Sequence, residues 1–114
     1  MSGSQNEGLI DLDAIAAGID EPWRPVDVVV ANDVAVRMAK LDGEFPWHRH
    51  AEDETFLCWS GSFRIEVAGG EAVVLRPGQM FIVPSGVEHR PVADEPAVTL
   101  LIENPATKQY GDFG

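Results

Sequence analysis

The three histidines of the chain lie in two short segments, together with an acidic residue at a spacing that suits metal binding. His48, His50 and Glu54 are separated by even intervals, so on extended chain their side chains leave the same face. His89 closes the second segment, which begins at Gly78. Three imidazoles and a carboxylate can hold a divalent ion and leave positions open for water or a substrate. The sequence therefore predicts a metal site made by these four side chains.

The ligands leave the choice of ion open. Mixed imidazole and carboxylate ligation suits Fe(II), Zn(II), Mn(II), Ni(II) and Cu(II), and affinity order and cellular supply decide among them. We therefore expect one divalent metal ion of undetermined identity. Cys58 shares the parity of the ligands, but it lies four residues beyond Glu54, about 13 Å along an extended strand. The sequence predicts that Cys58 is a core thiol.

The acidic residues beside the ligands have a simpler interpretation. Glu52 and Asp53 fall in a predicted bend, where we expect a solvated acidic turn. Glu88 directly precedes His89 and should point away from it on a strand, so we expect it on the exterior.

A few other residues could meet a substrate. Arg37, Lys40 and Gln79 are polar residues in strand contexts, although each by itself is expected to be exposed. Tyr110 and Phe113 lie in a glycine-containing tail and could cover the mouth of a barrel.

The elements that must position these residues are strands. From Val26 onward, apolar residues recur with a period of two between glycine and proline breaks. Gly69 and Gly70 separate two such runs, which predicts a tight hairpin because both glycines can adopt positive φ. Residues 9–19 have near-helical apolar spacing and are interpreted as a helical turn or a strand packed over the sheet. Many short strands without a long helix predict an all-β sandwich or barrel.

One predicted strand is apolar on both faces. Phe56 and Cys58 can fill the barrel, which leaves Leu57 and Trp59 pointing outward. An exposed apolar patch of this kind marks an interface, so either the N-terminal segment with Trp23 or a second subunit should cover it. The side chains predicted to form the barrel wall are Met38, Phe56, Met80 and Ile82.

The two histidine segments resemble the two signatures of the cupin superfamily. The first signature, H-x-H-x3-E-x6-G, is matched by His48, His50, Glu54 and Gly61. The second, G-x5-P-x-G-x2-H, is matched by Gly78, Pro84, Gly86 and His89. The resemblance spans about residues 34–103 and is closest to the small single-domain cupins of bacteria.

This resemblance implies a double-stranded β-helix, a small jelly-roll-like barrel. It also implies a metal-dependent enzyme acting on a small organic molecule in the barrel, with dioxygenase chemistry for iron and isomerase or lyase chemistry for zinc or manganese. The alternative is a non-catalytic module that binds a sugar or another metabolite, since no general base separate from the ligands can be identified. Small cupins are commonly dimers, so we expect a homodimer through Leu57 and Trp59.

Composition bounds the remaining possibilities. A chain of 114 residues with 45% hydrophobic residues predicts one globular domain. We expect a partly disordered N-terminal segment over residues 1–25, the barrel over 26–104 and a C-terminal tail over 105–114. The formal charge of −11 argues against nucleic acid and anionic membrane as partners. A single cysteine and the lack of a secretory signal pattern predict a cytoplasmic protein.

Overall fold

The computed structural model describes residues 8–112 and consists of strands with one short helix. The elements in chain order are α1 (Leu12–Ala17), β1 (Val26–Ala31), β2 (Val34–Glu44), β3 (Glu54–Ser60), β4 (Phe63–Val67), β5 (Val73–Leu75), β6 (Met80–Val83) and β7 (His89–Glu103). A turn at Asn32 and Asp33 joins β1 to β2, and Asn32 adopts a φ of +55° there. Among the described residues no helix is long and apolar enough to cross a membrane.

The two longest strands, β2 and β7, hold the barrel together. The first half of β7 pairs with β4, its second half pairs with β3, and β2 runs antiparallel beside both halves. A register shift between Leu41 and Gly43 in β2 lets the strand bend as it passes from one layer to the other. Strands β1 and β6 complete one layer, and β5 completes the other. The fold is the all-β barrel that the sequence predicts.

The barrel interior is filled by alternate side chains of these strands. The buried cluster consists of Ala39, Leu41, Phe56, Cys58, Phe63, Ile65, Leu75, Val83, Ala93, Ala97 and Leu101. Cys58 is fully buried, as predicted, and burial raises the pKa of its thiol. The prediction for Met80 and Ile82 is wrong, because their side chains are more than half exposed. Strand β6 lies at a sheet edge and turns its other face, including Val83, toward the core.

Helix α1 covers the outward apolar face of β3. Leu57 and Trp59 pack with residues of α1 against a second core cluster that contains Met38, and the Trp59 indole N–H donates to Asp13 at 2.9 Å. Trp23 does not take part, because it packs against the barrel interior instead. Since residues of the same chain cover this face, its apolar character no longer supports dimerisation through it. A homodimer stays a prediction from the family resemblance alone.

The connection between β4 and β5 is wider than the predicted two-residue hairpin. The last paired residues are Ile65 and Val73. Gly69 has a φ of +75°, whereas Gly70 is not among the glycines with positive φ. The predicted type of turn therefore does not form.

Candidate metal centre

Backbone hydrogen bonds bring the two histidine segments together. His48 and His89 form an isolated antiparallel bridge, in which each N–H donates to the other residue's carbonyl at 3.0 and 2.9 Å. The Gly86 N–H donates to the His50 carbonyl at 2.9 Å, in a turn where Gly86 adopts a φ of +79°. Glu54 begins β3 and faces the interior. The turn before β7 therefore places His89 beside the first segment.

The four predicted ligands converge at one buried point. One donor atom from each of His48, His50, Glu54 and His89 can be chosen so that all lie within 4.8 Å of one another. The residues are between 0% and 9% exposed. Each of these buried polar groups has lost its water and needs a partner inside the protein. The group could hold a metal ion.

The three imidazoles are oriented by their own backbone neighbours. Each Nδ1 lies within hydrogen-bond distance of a carbonyl oxygen two residues away, at 2.9 Å for His48, 3.1 Å for His50 and 2.9 Å for His89. A carbonyl can only accept, so Nδ1 must carry the proton. In a neutral imidazole this leaves the Nε2 lone pair free to bind a metal.

The imidazole nitrogens and the carboxylate at the centre require a proton or a metal ion between them. His50 Nε2 lies 3.1 Å and His89 Nε2 lies 3.3 Å from Glu54 Oε1. Neutral Nε2 and carboxylate Oε1 are both acceptors, so a proton or a metal ion must stand between them. The hydrogen bond to Glu54 raises the pKa of His50 to about 9, although burial opposes it. Burial alone would raise the pKa of Glu54, but the hydrogen bonds from His50 and His89 outweigh it and lower that pKa. Burial lowers the pKa of His48, which favours its neutral, metal-binding form.

A second buried carboxylate, from Glu103, stands directly beside Glu54. The two residues are cross-strand partners on β3 and β7. Like charges at such a position repel, and burial followed by the contact with Glu54 raises the pKa of Glu103 to about 8. Arg37 donates to Glu103 at 2.7 Å and limits this effect. The pair can therefore keep one proton between its two carboxyl groups near neutral pH.

Sequence reasoning missed Glu103, although a weak signal was present. Its position two residues after Leu101 gives it the same parity as an inward-facing residue. No pattern in the chain indicates which residue of β3 lies opposite Glu103.

A small apolar cavity adjoins the centre. It measures about 30 Å³, enough for one or two water molecules. His48 and Glu54 line it together with aromatic and aliphatic side chains, among them Trp23, Phe45 and Phe56. A ligand inside it can place only a few atoms there.

Trp23 is held in this cavity wall against its backbone preference. Its φ of +62° is uncommon for a bulky residue. Three hydrogen bonds fix it: its N–H donates to the Lys40 carbonyl at 2.8 Å, its indole N–H donates to the Asp42 carbonyl at 2.8 Å, and Gln109 donates to its carbonyl at 2.7 Å. Its ring lies 5.0 Å from the Phe45 ring. Such over-determined strain is often found at functional sites.

The C-terminal tail folds back over this end of the barrel. Tyr110 stacks on Phe45 at 4.9 Å, and the Phe45 ring contacts His48 edge-on at 5.3 Å. The Asp112 carboxylate accepts from the Ala51 N–H at 2.6 Å. Tyr110 thus lies against Phe45, at the end of the barrel that carries His48, while Phe113 lies outside the described residues.

Among the described residues, the other acidic and polar side chains considered from the sequence are not part of the four-residue group. The Asp53 carboxylate accepts a hydrogen bond from the Ser85 N–H, and the side-chain oxygen Oε1 of Gln79 accepts one from the Arg76 N–H at 2.9 Å. Glu88 is exposed, as expected. Glu52 is half-buried rather than solvated, and its Oε1 atom has no partner among residues 8–112.

Comparison with known proteins agrees with this architecture. Residues 35–103 match the family described as the Cupin domain. The chain is 32% identical over 92 residues to the uncharacterized protein YdbB of Bacillus subtilis strain 168, a match that covers 80% of this chain and 81% of that protein. It is 29% identical over 92 residues to the L-ectoine synthase of Aliivibrio fischeri strain ES114, covering 75% and 72% respectively.

Solved structures give the same result. A cupin-2 domain protein from Shewanella frigidimarina superposes with a TM-score of 0.80 at 32% identity, covering 84% of this chain and 94% of that one. The family match extends over more than half of the sequence, and the relatives align along most of their own lengths. The chain therefore belongs to the cupin family.

Proposed function

We propose that this protein is a metal-dependent enzyme that acts on a small organic molecule at a mononuclear centre formed by His48, His50, Glu54 and His89. The observation that carries the proposal is the convergence of three oriented imidazoles on one buried carboxylate. Three Nε2 lone pairs and one carboxylate oxygen form a donor set that suits a divalent transition metal.

The size and polarity of the surroundings limit the substrate. The apolar cavity of about 30 Å³ accepts only a few atoms. A ligand that reaches the centre must therefore be small, or the rest of the ligand must lie beyond Gln109 and Thr107. The bound ion would supply Lewis-acid or redox chemistry at the open coordination positions. The chain itself would orient the ligand against Trp23 and Phe45.

The likeness to an L-ectoine synthase supports catalysis, since that relative is named as an enzyme and aligns over 72% of its length. It does not transfer that substrate to this chain. Oxygenase chemistry with iron and isomerase or lyase chemistry with zinc or manganese are the reaction classes that we propose to test. The competing function is binding of a metabolite without turnover.

Elemental analysis of protein purified without added metal tests the centre first. Turnover follows on a panel of small hydroxylated, phenolic and amino-acid-like compounds, with O2 consumption recorded for the Fe(II) form and product analysis for the Zn(II) and Mn(II) forms. We expect turnover with at least one metal and its loss in Glu54→Ala. The matched control is Glu88→Ala, which removes an exposed carboxylate next to His89 and should retain activity.

Two results would contradict the proposal. Stoichiometric metal in Glu54→Ala and His50→Ala alike would show that these residues do not form the centre. Tight retention of an unchanged compound, with no turnover under any metal, would establish the binding module instead.

A further inference from the structure

The small apolar cavity lies between the metal centre and the core of the barrel. His48 and Glu54 line it, together with Ala39, Leu41 and Phe56, which belong to the core and are at most 3% exposed. Because two of the four predicted ligands border the cavity, an ion held by them would adjoin it. A molecule bound to that ion could place its remaining atoms against the apolar wall.

The polar side chains of the cavity wall, apart from the two ligands, already have partners. The Thr99 hydroxyl lies 3.1 and 2.9 Å from backbone carbonyl oxygens of β3 and β7 and donates its proton there. Gln109 donates to the Trp23 carbonyl at 2.7 Å, and the Trp23 indole N–H donates to the Asp42 carbonyl at 2.8 Å. A polar group of a ligand would lose its water here and meet groups that are already hydrogen-bonded. The wall therefore favours an alkyl group.

The volume of the cavity limits the length of that alkyl group. The cavity measures about 30 Å³, which is room for about two groups of the size of a water molecule. A methylene group is close to this size, so about two carbon atoms fit. Each buried methylene tightens binding about fourfold, because its transfer out of water is favourable. A third carbon would have to displace close-packed core side chains, which is unfavourable.

The charge of the metal-loaded centre favours an anionic group next to the alkyl chain. Imidazoles bind a divalent ion in their neutral form, so the Glu54 carboxylate offsets only part of the charge of the ion. The neighbouring Glu103 is paired with Arg37 at 2.7 Å. The loaded centre therefore keeps a net positive charge, which attracts a carboxylate.

We propose that the apolar cavity is the specificity pocket of this centre and holds an alkyl group of about two carbon atoms, while the carboxylate of the same molecule binds the metal. The substrate class is then a short-chain aliphatic carboxylic acid. Ala39 and Leu41 set the length limit, since they form part of the wall on the core side. This inference rests on the proposed metal-dependent function and adds the substrate class.

Titration calorimetry with straight-chain carboxylates measures the length limit. Acetate, propanoate, butanoate and pentanoate have nearly the same basicity and differ in the length of the alkyl chain, and each is titrated into Zn(II)-loaded protein. We expect propanoate to bind about fourfold more tightly than acetate. Butanoate and pentanoate should bind no more tightly than propanoate, because their additional carbon atoms do not fit the cavity.

Two substitutions in the wall should change the limit in opposite directions. Ala39→Val adds two methyl groups to the wall and should remove the advantage of propanoate over acetate. Leu41→Val removes one carbon atom and should let butanoate bind more tightly than propanoate. The matched control is Leu75→Val, which removes one carbon atom from the same core cluster at a residue that does not line the cavity. This variant should keep propanoate as the tightest ligand.

The metal-free protein tests the cavity independently of the metal centre. Ala39→Val should unfold at the temperature of the wild type or above it, because its methyl groups occupy space that is already there. Ala93→Val is the comparison, since Ala93 is fully buried in the same core cluster and does not line the cavity. It should unfold at a lower temperature, because it overpacks the core.

Four outcomes would overturn the assignment. Equal affinities for acetate and propanoate, or no binding of any acid to protein that contains zinc, would show that no alkyl group enters the cavity. An affinity that rises steadily to pentanoate would show that the cavity sets no length limit. A preference for propanoate that survives Ala39→Val would place the alkyl group elsewhere. A lowered unfolding temperature of metal-free Ala39→Val would show that the cavity has no room. Zinc content is measured before any acid is added, so failure to load zinc is recognised separately as failure of the metal centre and of the inference that rests on it.

Discussion

The affinity of the centre for a metal should rise steeply with pH, because His50 must lose a proton to become a ligand. In the metal-free protein the contact with Glu54 raises the pKa of His50 to about 9. At pH 7 about one His50 side chain in a hundred is then neutral. A divalent ion binds only the neutral imidazole, so the apparent affinity at pH 7 is about a hundredfold below its limit at high pH. Between pH 6.5 and 8.5 we expect an increase of about tenfold per pH unit.

Proton release gives an independent measure of the same effect. Titration of Ni(II) or Mn(II) into metal-free protein, in buffers of different ionisation enthalpy, counts the protons displaced. We expect at least one proton per ion at pH 7 and a count that falls toward zero above pH 9. Glu103 can add a second proton, since its pKa is raised to about 8 mainly by burial and the neighbouring Glu54. Glu103→Gln should remove that contribution and leave the proton from His50.

A metal affinity that stays constant between pH 6.5 and 8.5 would contradict this prediction. Metal binding that releases no proton at pH 7 would contradict it as well. Either result would mean that His50 is already neutral in the metal-free protein. The 3.1 Å contact between His50 Nε2 and Glu54 Oε1 would then not be an ion pair.

Three further tests concern the ligands, the helix and one turn. His50→Ala should remove most bound metal from a folded barrel, whereas Cys58→Ser should leave metal content nearly unchanged. Elemental analysis of both variants measures this. The opposite pattern would refute the ligand assignment. Trp59→Asp should lower the free energy of unfolding by about 2–3 kcal/mol in a denaturant titration, because it breaks the packing under α1. Light scattering should show the same mass for this variant as for the wild type. A lower mass for the variant would show that subunits associate through this face. Gly61→Ala should cost at least about 1–2 kcal/mol, since φ is +72° and the new Cβ would lie 2.9 Å from a backbone oxygen. Gly78→Ala, with a φ of +87° and open space around its Cβ position, is the control and should cost less.

Much of the candidate site was predictable from local pattern. The even spacing of His48, His50 and Glu54 needs only the alternation of an extended chain, and the glycine and proline spacing before His89 needs only turn chemistry. These are short-range properties, and the structure brings the four side chains together as predicted. Their binding of a metal stays a prediction. The all-β fold followed from the same period-two pattern, which the structure confirms.

The remaining features depend on register and on long-range packing. Whether Glu103 lies opposite Glu54 depends on how β7 aligns with β3, and no residue pattern within either strand specifies that alignment. The apolar pattern predicts an outward face on β3, but only the path of the chain shows that α1 rather than a second subunit covers it. Met80 and Ile82 illustrate the same limit, since alternation predicts that two faces of β6 differ without indicating which one meets the core. Local sequence determines which side chains share a face of a strand; the pairing of distant strands determines which side chains meet across the barrel, because those contacts depend on the free energy of the whole assembly of strands.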